Sequence, residues 1–159
     1  MSMVIDGTNG LTFNNATTQN SGGKVIQVVN ATYSTETSSA SATFADTGLT
    51  ASITPLFNNS KILVFVDHTG CYSSNGSNLL GLSLVRNSTT IVSYFEGYGG
   101  YTGANQSEFG SCSTTYLDSP ATTSATTYKT QLANRNATGT VSVSRGPSTS
   151  TITLMEIAP

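Results

Sequence analysis

Apolar residues along this chain fall at alternate positions or in short unbroken runs, with turn-forming residues between them. Leu49, Ala51 and Ile53 alternate with Thr50, Ser52 and Thr54 ahead of Pro55, the pattern of a half-buried strand. Val25-Ile26-Gln27-Val28-Val29 and Ile62-Leu63-Val64-Phe65-Val66 are apolar on both faces, which predicts covered strands and a central place in a sheet for the first. Leu80, Leu82 and Leu84 share one face, Asn87-Ser88-Thr89 turns the chain, and Ile91 to Phe95 returns, so residues 79–95 read as a hairpin. Residues 114–117 and 124–132 predict weaker, more polar strands. Val141 and Val143 mark another, and residues 151–157 form a last strand after the Gly146-Pro147 turn. Nowhere do apolar positions keep helical spacing over three turns. Roughly eight to ten strands at intervals of about 8–12 residues predict an all-β, antiparallel β-sandwich or barrel, and a jelly roll fits the count.

Residues 1–23 stand apart. Val4-Ile5 and Leu11-Thr12-Phe13 are very short apolar strands separated by Asp6-Gly7 and Asn9-Gly10 turn signals, and the polar stretch after them ends in Gly22-Gly23. Such a short extended segment cannot bury a core of its own, so it is expected to pack on identical copies or on another protein. The division expected is a segment over 1–23 and a single β-domain over 24–159.

Composition narrows the function more than it names one. Thr, Ser and Asn supply 63 of 159 residues, whereas charged residues make up 9% against about 25% in ordinary soluble domains. Seven Tyr, six Phe and many β-branched residues argue against disorder. The net charge is −2, and Lys24, Lys61, Arg86, Lys129, Arg135 and Arg145 are scattered. Nucleic-acid binding needs a clustered cationic footprint and is disfavoured. No apolar run approaches the roughly 20 residues of a membrane-spanning helix, and no signal-peptide pattern opens the chain.

Candidate chemistry is sparse. His68 is the only histidine, and neither a metal-binding motif nor a paired-carboxylate spacing accompanies it. Cys71 lies three residues on, which on a regular strand places the two side chains on opposite faces. Cys71 and Cys112 allow one bridge or two separate thiols, and the sequence leaves both open. No catalytic residue, metal site or cofactor is predicted. The Gly/Tyr-rich stretch from Glu96 to Asn105 couples unusual backbone freedom with rigid amphipathic contact area. It reads either as a recognition loop carried by Tyr98, Tyr101, Asn105 and Gln106 or as a plain connecting loop.

Several stretches together resemble small structural proteins of tailed bacteriophages. They are Val4-Ile5-Asp6-Gly7-Thr8-Asn9-Gly10-Leu11-Thr12-Phe13 with Ala16-Thr17-Thr18-Gln19, then Lys24 to Val29, Ala45 to Leu49, Ile53-Thr54-Pro55 and Ser60 to Val64. Tyr116 to Thr123, Tyr128 to Gln131 and Ile152 to Ile157 complete the set. The resemblance implies a homotrimeric jelly-roll knob, similar to the tumour-necrosis-factor-like fold, on a tail fibre or virion surface. It implies assembly in the host cytoplasm, attachment to other virion proteins through Val4, Ile5, Leu11 and Phe13, and contact with a host glycan or protein receptor. A typical tail fibre has a long shaft whereas about 20 residues precede the knob here, so a short spike, a tip subunit or a capsid-bound fibre is expected rather than a stand-alone long fibre. A head decoration protein is the alternative, and a polysaccharide-degrading enzyme is disfavoured by eight scattered carboxylates.

Overall fold

The computed structural model describes residues 24–98, 107–136 and 138–159, with backbone alone at 98 and 107–109 and in three short N-terminal strands. Those strands, β1 (Val4–Asp6), β2 (Gly10–Thr12) and β3 (Thr18–Gln19), pair antiparallel in the order β1-β2-β3. Ile5 stands opposite Leu11, as expected for two strands split by turn signals.

The body holds β4 (Val25–Tyr33), β5 (Thr37–Ser39), β6 (Ala45–Ile53), β7 (Lys61–Ser73) and β8 (Leu79–Arg86). It continues with β9 (Thr89–Tyr98), β10 (Ser107–Asp118), β11 (Thr126–Asn134), β12 (Val141–Val143) and β13 (Ser150–Ile157). Strand β10 pairs with β7 along one edge, and β13 and β12 follow each other along the opposite edge. Beyond them β4 pairs with β13 and β5 with β12. The sheet is therefore four tracks wide: β4/β5, β12/β13, β7, β10. The second sheet runs β6-β11-β8-β9. Taken in chain order, tracks one, eight, three and six form one sheet and two, seven, four and five the other. That double Greek key is a jelly roll, in an all-β antiparallel sandwich. Where the body's first and last strands meet, the Ala158 N–H donates to the Lys24 carbonyl at 2.9 Å.

Three sequence expectations change. Residues 25–33 form an edge strand, paired only with β13, because the apolar residues on their second face are uncovered rather than buried. The polar strand expected at 124–132 lies between β6 and β8, where Tyr128, Thr130 and Leu132 are fully buried. Its hydroxyls are accommodated because they hydrogen-bond inside the sandwich. His68 and Cys71 also share the inward face instead of opposing ones. Gly70 takes φ +58°, a left-handed value that glycine tolerates best, and shifts the pleat by one residue. The facing strand shifts register on both sides of Gly110, which pairs with Cys71. The 79–95 hairpin forms and extends to Tyr98, turning at Asn87 with φ +53°. Asn87 exchanges two hydrogen bonds with Thr127, its N–H to the carbonyl and its Oδ1 from the N–H.

The core has two apolar halves. Leu49, Ile53, Val64, Leu84, Tyr128 and Leu154 belong to one. Leu80, Leu82, Leu132, Val141 and Val143, with both cysteines, form the other. Between them runs a buried polar belt from one sheet to the other. Ser144 Oγ lies 2.7 Å from Ser150 Oγ, which lies 3.1 Å from His68 Nδ1. His68 Nε2 is 2.9 Å from Thr130 Oγ1, itself 2.6 Å from Thr47 Oγ1. Hydroxyls both donate and accept, so either imidazole tautomer is satisfied within this chain.

Candidate functional site

The outward face of the β4/β13/β7/β10 sheet carries an apolar row across all four strands. The register sets Val28 opposite Met155, Met155 opposite Leu63, and Leu63 opposite Leu117. Val25 and Ile157 adjoin it at one end, and Phe65 at the other, between Thr153 and Thr115. Val28 is 56% exposed, Leu117 50%, Val25 46% and Phe65 38%. Single exposed apolar residues are ordinary, whereas residues that adjoin across four strands make this face a candidate contact surface. Lys61 sits at its margin and donates to Ser119 Oγ at 2.9 Å.

The same end of the sandwich is fixed by Glu156, which is fully buried. Its Oε1 accepts the Leu56 N–H at 2.7 Å and its Oε2 accepts Gln27 Nε2 at 3.0 Å. Burial pushes this carboxyl up. The neighbouring Ser60 hydroxyl, the Leu56 N–H and the Gln27 amide outweigh that and hold it below its ordinary value. The turn bearing the exposed Leu56 and Phe57 is thereby pinned to the strand that carries Met155. On the inner side of β10, Asp118 receives Arg86 at 2.8 Å and the Tyr128 hydroxyl at 2.6 Å.

At the other end of the outward face, the two bulges open a pocket of about 590 Å³. Gly70, Gly110 and Gly146, all with left-handed φ, line it with Tyr72, Ser111 and Arg145. The Arg145 guanidinium lies over the Tyr72 ring at 3.6 Å. Its Nε stands 4.0 Å from Glu36, with both side chains about 40% exposed.

The single histidine is fully buried in the polar belt, and burial lowers it to about 4. Both of its ring nitrogens are engaged by hydroxyls of the belt, those of Ser150 and Thr130. Cys71 and Cys112 are free thiols buried together. The hydrogen bond between them, then burial, pushes Cys71 up, while the same bond draws Cys112 down. Val4 and Ile5 lie on β1 and Leu11 on β2, with side chains outside the described residues, as is all of Phe13. Tyr98 ends β9 opposite Leu79, but its side chain and the whole of Tyr101, Asn105 and Gln106 also lie outside them. Sequence reasoning missed the Arg145 pocket. Glycine inside otherwise regular strands, at positions 70 and 110, is the signal that marks such bulges. Among the described residues, no three His, Cys, Asp or Glu side chains converge as metal ligands.

A scan of protein-family models finds no match to this chain, and a search of curated proteins finds none.

Proposed function

We propose that this chain is a phage virion structural protein, the homotrimeric knob of a tail or surface fibre that contacts the host surface. The observation that carries the reading is the row Val28-Met155-Leu63-Leu117 on an open sheet face. A closed threefold assembly would bury that row against copies of itself, around an axis beside the sheet. The N-terminal strands would join other virion proteins, and the Tyr98–Gln106 stretch would meet the receptor, as the resemblance implies. A binding role rather than a catalytic one is favoured by the enclosure of the histidine and both thiols.

Light scattering tests the assembly. The intact protein is expected at three times the 16.5 kDa chain mass. A Val28→Asp, Leu117→Asp double variant should be a folded monomer, since both positions are about half exposed in the single chain. A monomeric wild type at micromolar concentration, or a double variant that stays trimeric, would overturn the reading. Electron microscopy of virions with antibody to the chain then tests location.

A further inference from the structure

Beyond the assembly reading, and independent of it, we propose that Cys71 and Cys112 form a redox clasp, open as two thiols in a reducing cytoplasm and closed as one disulfide by a small-molecule disulfide outside it. Both sulfurs are free and buried in the same half of the core. The strand register brings them together. Cys112 on β10 stands opposite His68 on β7, and the Cys71 sulfur lies 3.4 Å from the His68 carbonyl oxygen. One thiol is thus folded back onto the residue that the other faces, and the two share a hydrogen bond. On a regular strand Cys71 would point to the face opposite His68. The bulge at Gly70 turns it inward, and β10 shifts register on both sides of Gly110 to answer it. Two opposed irregularities therefore meet at one pair of thiols.

Cytosolic thiol pools keep such pairs reduced, whereas disulfides persist in oxidising surroundings. The hydrogen bond between the thiols draws Cys112 down, which makes it the attacking sulfur. Its thiolate attacks one sulfur of a disulfide such as oxidised glutathione and expels the other half as a thiolate. Cys71 then attacks the Cys112 sulfur and expels the second half, and the two displaced thiolates take up the protons of the two cysteines. Two protein thiols are oxidised and one glutathione disulfide is reduced to two thiols. Because both sulfurs are buried, the exchange runs through local opening of β10, an edge strand that pairs with β7. The bond would close a loop of about 40 residues that holds the β8–β9 hairpin and the Gly/Tyr-rich stretch. It would fix the strand by which that stretch rejoins the sheet.

Oxidation of the intact, folded protein with excess oxidised glutathione tests the proposal, in urea well below the unfolding midpoint so that local opening is not limiting. After unfolding in iodoacetamide, the chain mass is expected to fall by two hydrogens, with neither glutathione nor an alkyl group added. Peptide mapping should join Cys71 to Cys112 within one chain. Closure should raise the melting midpoint by roughly 5–15 °C, and dithiothreitol should return it to the starting value. Cys71→Ala and Cys112→Ala should each abolish the rise. Both thiols still open to alkylation, after an exposure that oxidises free cysteine in the same mixture, overturn the proposal. So does glutathione that stays attached to one cysteine, a bond that links two chains instead, or a midpoint that falls when the bond closes.

Discussion

Acidification should weaken this protein through one residue. His68 is fully buried and sits between Ser150 and Thr130, with its ionisation lowered from 6.5 to about 4 by burial, which the nearby Asp67 partly offsets. The unfolded chain takes up a proton near pH 6.5, while the folded one resists until about 4, so falling pH favours the unfolded state across that interval. With those two values, lowering the pH from 7 to 5 should remove about 2 kcal/mol of stability per chain. At about 2–4 °C per kcal/mol for a domain of this size, the midpoint should drop by roughly 4–8 °C. Glu156 and Asp46 are held below their ordinary carboxyl values of 4.5 and 3.8, so their own losses fall lower on the pH scale. Urea or thermal unfolding at pH 7, 6 and 5 measures the effect, and a His68→Gln variant should show a nearly flat profile there. With a single histidine in the chain, one imidazole resonance followed by NMR gives a direct check. An imidazole that titrates near 6.5 in the folded protein, or an equal acid loss in the variant, would refute the reasoning.

Gly70→Ala should destabilise the fold by about 2 kcal/mol or more, because φ +58° is strained for alanine and its methyl would meet Arg145 backbone; a urea midpoint within error of wild type would contradict the bulge. Glu156→Gln should cost about 1–3 kcal/mol by weakening the hydrogen bonds to the buried carboxylate, and it should also flatten stability below pH 4.5. A chemical melt series at pH 3 to 6 reads both effects.

The sequence carried the sandwich more clearly than its sites. Period-two patterning at Leu49–Ile53 and Leu80–Leu84 reports burial directly, and the turn at Asn87 reports the hairpin. Strand order did not follow, because apolarity on both faces at 25–29 is the same signal whether the second face is covered within the chain or bare. Nothing in the sequence marks Thr130 and Ser150 as buried, since a hydroxyl that answers a buried histidine has the same identity as one that answers water. The Arg145 pocket joins residues 69–72, 110–111 and 145–148. Only strand pairing and two opposed bulges bring those segments together, and nothing local to any of them encodes the meeting.

The bond between Ala158 and Lys24 has a practical meaning for anyone building on this protein. The polypeptide enters and leaves the sandwich at one point, as a cable enters and leaves a reel. A fluorophore or affinity handle placed after Pro159 would therefore stand beside the start of the body and far along the chain from its hairpins. The same adjacency favours a circular permutant that joins 159 to 24 through a short linker and opens elsewhere, which would separate folding of the sandwich from whatever the first 23 residues do.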